Sequence, residues 1–117
     1  MIQRFESNGR YHNVIRYDKL LFLSGQTATE MGDDISSQSR AVLKKIENIL
    51  RQHGSDKRHI LHADVYLPKQ DMVQPFNAVW DAWTEKGYEP TRACMVAALG
   101  RPQILVEIVV IAAIADT

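Results

Sequence analysis

Apolar and polar positions follow two rhythms along this chain. Residues 2–6 alternate weakly, as a short first strand would, and residues 14–17 and 20–24 read as two strands joined by a tight turn at Asp18-Lys19. Residues 26–34 are loop-like, with Gly32-Asp33-Asp34 as a turn. The rhythm then changes to a helical one. Ile35, Val42, Leu43, Ile46, Ile49 and Leu50 share one face of a helix over 35–53, with Asp34 as its N-cap and Gly54 as its stop. Residues 60–67 return to a period of two. Ile60, His62, Asp64 and Tyr66 fall on one face and Leu61, Ala63, Val65 and Leu67 on the other, and Pro68 ends the strand. A second helix is predicted over 71–86, with Met72, Phe76, Val79, Trp80 and Trp83 as its apolar stripe. Asp71 and Gln74 stand as a capping pair, Pro75 is tolerated in the first turn, and Gly87 follows the end.

Residues 92–99 and 104–114 are the last two strands, the second apolar on both faces except at Glu107. The order β, β-β, α, β, α, β, β predicts an α+β protein, with two helices packed on one face of a mixed sheet. There is no linker, low-complexity segment or short-period repeat, so residues 1–117 read as one domain. The two α-then-β halves, 35–67 and 71–99, hint at a pseudo-repeat.

Composition narrows the function. Hydrophobic residues make up 45% of the chain and charged residues 24%, as in ordinary globular proteins. Lys plus Arg equals Asp plus Glu at 14 each, which supplies no electrostatic reason to expect a nucleic-acid or membrane partner. The N-terminal residues lack the apolar run of a signal peptide, and the uncharged stretch 108–115 is too short to span a bilayer as a helix. The single cysteine, Cys94, excludes an intrachain disulfide, and a cytoplasmic location is the expectation.

Glu107 asks most plainly for a chemical explanation. A carboxylate inside an apolar strand needs a cation partner, a neutralised state or a wet cavity. A salt bridge or a solvent-facing place on an open sheet is the bland reading. Arg92 is the natural partner or neighbour, at the start of an otherwise apolar strand. It reads either as a fork aimed at a carboxylate or as a rim arginine. Cys94 shares its face and has no base arranged for it. The glycine of Ser24-Gly25-Gln26 permits a close approach or makes a turn, the turn being the better single reading. Asn77 lies beside the core residue Phe76 and is as readily a surface residue as a binding one. His12, His53, His59 and His62 have no metal-site spacing, and there is no phosphate loop, dinucleotide fingerprint or serine-hydrolase elbow.

Taken together, these residues resemble the RidA family of reactive-intermediate imine deaminases, also called the YjgF family. Pro90-Thr91-Arg92-Ala93-Cys94, with Glu107 of Val106-Glu107-Ile108 thirteen residues beyond the cysteine, looks like the family's Pro-x-Arg-x-Cys and (Val/Ile)-Glu-(Ile/Ala) signature. Ser24-Gly25-Gln26 resembles its Ser-Gly-Gln motif. Gly9-Arg10-Tyr11, thirteen residues before Ser24 counted from Tyr11, resembles its Gly-Pro-Tyr with Arg10 in place of proline. Asn77 resembles the family's helix asparagine. The stretch from Asn77 to Arg92 is slightly shorter than usual, and Asn77-Ala-Val-Trp-Asp-Ala-Trp83 looks closer to a YoaB-like subgroup.

The resemblance implies a chorismate-mutase-like fold assembled as a homotrimer, with sites in clefts between subunits. A trimer core would also cover the second face of the last strand, which two helices cannot. It further implies that Arg92 binds a substrate carboxylate and that Glu107 manages the attacking water. Tyr11, Ser24, Gly25, Asn77 and Cys94 would shape the pocket. The reaction would be hydrolysis of 2-imino or enamino acids, such as 2-aminoacrylate-type intermediates, to 2-oxo acids and ammonia, with no metal or organic cofactor. Two other readings stay open. One is a non-catalytic trimer that binds a 2-oxo acid or related metabolite in a regulatory role. The other, ranked lower, is the nuclease or translation-inhibitor activity attributed to some relatives.

Overall fold

The computed structural model describes residues 1–115. Its strands are β1 (Ile2–Ser7), β2 (His12–Tyr17), β3 (Leu20–Leu23), β4 (Ile60–Leu67), β5 (Thr91–Val96) and β6 (Glu107–Ala113). Its helices are α1 (Ile35–Gln52) and α2 (Val73–Trp83). The strands form one six-stranded sheet in the order β1-β2-β3-β6-β4-β5. Only β4 and β5 pair in parallel, joined through α2; the other neighbours are antiparallel. Asp18 turns the β2–β3 hairpin at φ 55°, a left-handed conformation that aspartate tolerates.

The expected α+β architecture is present. Val42, Leu43, Ile46, Ile49 and Leu50 of α1 and Phe76 and Trp80 of α2 are buried against Val14, Leu21, Leu23, Ala63, Val65, Leu67, Ile108, Val110 and Ala112 of the sheet. Both helices therefore lie on one face. The other face carries Ile15, Phe22, Ala93, Met95, Val109 and Ile111, which the strand register aligns across β2, β3, β6, β4 and β5. Phe22 keeps 40% of its surface exposed there.

Helix α1 starts where its sequence says it should. The Asp34 carboxylate accepts from the Ser37 backbone N–H at 2.8 Å and from the Ser37 hydroxyl at 2.9 Å. Helix α2 is shorter than the predicted 71–86. A 3-10 turn at Gln70–Met72 precedes it, Met72 occupies the cap, and the capping pair of Asp71 and Gln74 does not form. At the other end Thr84 leaves helical geometry. Its N–H and hydroxyl both bond the Trp80 carbonyl, and Lys57 Nζ caps the Trp83 carbonyl at 2.7 Å. The last two strands are also trimmed, to Thr91–Val96 and Glu107–Ala113.

The alternation predicted for β4 fails at one point. The register shifts between Ile60 and His62, so Ile60 is buried and Leu61 is 47% exposed. A bulge reverses the facing of the residues before it, and no residue type in the segment announces it.

The Ser37 backbone N–H, with its hydroxyl, holds the Asp34 carboxyl below its ordinary value of 3.8. A depressed carboxyl contributes stability that is complete above the ordinary value and is lost as pH falls through the depressed one. Asp34→Ala should therefore lower Tm at neutral pH. The gap from wild type should narrow as pH drops below 3.8, as calorimetry across the acid limb would show.

Candidate functional site

Two separate surfaces collect the candidate residues. The first is an open concavity of about 410 Å³ lined by Tyr11, Ser24, Gly25, Thr27, Ile104 and Glu107. Its floor comes from the start of β6. Gln26 and Ile108 form an antiparallel bridge, with N–H to carbonyl distances of 2.9 Å and 3.2 Å, and this sets Gly25 beside Glu107. A Cβ built on Gly25 would lie 2.9 Å from the carboxyl carbon of Glu107 and 3.1 Å from its Cγ. Gly25 is not among the glycines with positive φ. Its lack of a side chain serves the close approach of the carboxylate, which corrects the preference for a turn.

Ser24 and Gln26 brace this wall. The Ser24 hydroxyl donates to the His12 carbonyl at 2.7 Å, so its proton is committed and its lone pairs remain. The buried Gln26 amide donates to Asn13 Oδ1 at 2.9 Å and to the Ser24 carbonyl at 2.8 Å. Glu107 is half-buried and, among the described residues, has neither a salt bridge nor a hydrogen bond from its side chain. No ion pair to Glu107 forms within the protomer among the described residues; its carboxylate is on the open face of the sheet, at the wall of the concavity.

The second surface is at the sheet edge. Arg92 lies on β5 with its guanidinium 5.3 Å from the Trp80 ring and 5.8 Å from the Phe76 ring of α2. Cation–π attraction to these rings uses none of the N–H donors in a conventional hydrogen bond, and none of them has a hydrogen-bond partner among the described residues. No carboxylate pairs with it among the described residues. Cys94 is half-buried and packs against the core. Asn77 follows Phe76 on α2, and its Oδ1 is buried without a hydrogen-bond partner. A buried amide oxygen left unpaired costs about 1–3 kcal/mol, which favours a ligand or water there over the surface-residue reading.

The two surfaces do not meet in one protomer. Arg92 pairs with Ala63, and Ala63 with Val110; Glu107 pairs with Tyr66. Ala63 is on the helix side and Tyr66 on the open side. Arg92 and Glu107 thus lie on opposite faces, two strands apart (~10 Å) and three residues out of step (~10 Å). Within one protomer, Arg92 is therefore not the partner of Glu107.

Some contributors carry no motif. Gln38 of α1 is only 1% exposed. Its amide donates to the Gly32 and Gln103 carbonyls at 3.0 and 2.9 Å and accepts from the Leu105 N–H at 3.0 Å. It ties the loop before α1 to the loop that delivers Ile104 and Glu107. A polar residue one turn before Val42, on the apolar stripe, was the available signal. Trp80, four residues after Phe76, carried the spacing of a core residue and also serves as the shelf for Arg92. A larger concavity of about 520 Å³ between residues 29–38 and 102–105 contains neither Arg92 nor Glu107. No group of three or more His, Cys, Asp or Glu is disposed to hold a metal among the described residues. No helix among them is long and apolar enough to cross a membrane.

A mixed six-stranded sheet with both helices on one face places the chain in the α+β class of YjgF-type proteins. The chain belongs to the RidA/YjgF family: residues 1–114 match the family model described as Endoribonuclease L-PSP. A RutC family protein of Haemophilus ducreyi is 35% identical over 114 residues, covering 97% of each chain. The RutC family protein YoaB of Escherichia coli K12 is 30% identical over 113 residues, covering 97% of this chain and 98% of its own. The crystal structure of NMB1025 from Neisseria meningitidis, a member of the YjgF protein family, superposes with a TM-score of 0.96 at 38% identity. It covers 100% of this chain and 98% of that one. The resemblance read from the motifs is borne out.

Gly25→Ala tests the first surface. The added methyl should displace the Glu107 carboxylate with little effect on Tm. Turnover should fall on the order of 10- to 100-fold if that carboxylate acts on substrate. Unchanged turnover would remove Glu107 from the site.

Proposed function

We propose that this chain hydrolyses 2-imino and enamino acids to 2-oxo acids and ammonia, in a cleft formed between protomers of a homotrimer. One observation carries the reading. An arginine and a carboxylate, each without a hydrogen-bonding or salt-bridging partner among the described residues, lie on opposite faces of one sheet, and the carboxylate lines an open concavity. Each surface is half of a site, and a neighbouring copy supplies the other half. The open sheet face, with Phe22, Val109 and Ile111 incompletely buried, is apolar enough to be an interface between copies. A closed three-fold ring would repeat one head-to-tail contact and give three equal sites. The number three comes from the family resemblance.

Arg92 would take the substrate carboxylate through two parallel N–H···O bonds, which fixes the imine carbon relative to Glu107 of the neighbour. Glu107 would accept a proton from water as the water oxygen adds to the imine carbon and the C=N π electrons move to nitrogen. It would return that proton to the amine. Glu107 would then take the hydroxyl proton of the carbinolamine as the carbonyl forms and pass it to the departing nitrogen, so that the C–N bond breaks and ammonia and a 2-oxo acid leave. An enamine substrate first gains a proton at its terminal carbon to reach the imine. Tyr11, Ser24, Ile104 and Asn77 would wall the cleft. The chemistry asks for no cofactor, and the balanced charge and lone cysteine fit a cytoplasmic place.

The family's description as an endoribonuclease supports a different reading, but a net charge of +0 supplies little to hold a phosphate backbone. Purified protein should accelerate 2-oxo acid release from imines made in situ by an amino-acid oxidase. Arg92→Ala should lower kcat/KM on the order of 10²-fold, mainly through KM. Glu107→Gln should lower kcat by about 10²–10⁴-fold. Ile111→Asp should yield monomers by sedimentation. RNA cleavage with steep salt dependence, or 2-oxo acid binding without any turnover, would contradict the reaction.

A further inference from the structure

Arg92 rests on aromatic rings on one side of β5, and a second set of contacts grips the same strand from the other side. Thr91 precedes it and pairs with His62 of β4 on the open face. The Thr91 hydroxyl donates to the Leu61 carbonyl at 3.0 Å, at the bulge. The same hydroxyl lies 2.7 Å from His62 Nδ1. His62 Nε2 faces Asp64 Oδ1 at 2.9 Å, and a carboxylate accepts only. The His62 ring therefore bridges the Thr91 hydroxyl and the Asp64 carboxylate, with a contact at each ring nitrogen.

We infer that Thr91, His62 and Asp64 are positioning residues that set the aim of Arg92. The physical basis is the alternation of a strand. Pinning Thr91 on one face fixes the backbone plane from which the next side chain departs on the other. The need is greatest at this place. Among the described residues β5 is an edge strand with β4 as its single neighbour, and Thr91 is its first residue. Without the Thr91 contacts the strand start would fray, and a small backbone shift would be magnified along the arginine side chain to its fork. None of the three residues faces the rings that support Arg92, so they act through the backbone. The inference deepens the proposed reaction and rests on Arg92 binding a carboxylate.

Thr91→Val keeps the shape and removes the hydroxyl; Thr91→Ser keeps the hydroxyl. Thr91→Val should raise KM for the 2-imino acid on the order of tenfold while kcat stays within about twofold, and Thr91→Ser should restore KM. His62→Leu should show the same split. Calorimetry with pyruvate should show the same order of Kd values. If wild type turns over imines and Thr91→Val matches it in KM, the inference falls and the reaction stands. If wild type binds pyruvate but turns nothing over, and Thr91→Val binds more weakly, the reaction falls and the inference stands. An equal loss in kcat and KM that serine does not rescue, or a wild type that binds no 2-oxo acid, overturns the inference.

Discussion

Side chains of a strand alternate between faces, so the register of this sheet decides which reactive groups can meet. Both helices cover the same face. Residues in step with Ala63 and Val65 of β4 point into that packed layer or over its rim, and residues in step with His62 and Tyr66 point away from it. Arg92 follows the first set and Glu107 the second. Their separation onto opposite faces follows from parity in the strand ladders, and every functional statement about the chain inherits it.

The same constraint explains how each group stays available. A guanidinium at a rim would ordinarily find a carboxylate; here it lies near the Trp80 and Phe76 rings, with no carboxylate partner among the described residues. A carboxylate at the start of an apolar strand would ordinarily be costly; here Gly25 leaves room for it at the wall of an open cleft. Gln26 and Gln38 do the quieter work. Their buried amides replace water for loop backbone groups and fix the loops on either side of Glu107.

Much of the fold was legible because local chemistry specifies it. The stripe from Ile35 to Leu50, the Asp34 cap and the Asp18-Lys19 turn each act within a few residues, and each is where the pattern put it. The family motifs also led to Arg92, Glu107, Ser24, Gly25 and Tyr11. What was hidden depends on contacts far apart in the chain. The bulge at Leu61 arises from pairing with β6. The early end of α2 depends on Lys57 reaching the Trp83 carbonyl. Gln38 is explained only by Gln103 and Leu105, and the opposite facing of Arg92 and Glu107 only by their common neighbour β4. Spacing within a segment says which residues share a face; it does not say which face of the sheet that is.

Mixing two inactive chains tests the central claim most directly. Arg92→Ala and Glu107→Gln protomers would be unfolded together, refolded at equal amounts and assayed for imine hydrolysis. A cleft shared between copies predicts recovery of roughly a quarter of wild-type activity, since about one interface in four then pairs an intact arginine with an intact glutamate. Activity no greater than that of the separate variants, from protein shown by mass spectrometry to have mixed, would mean that the two groups never face one another across an interface.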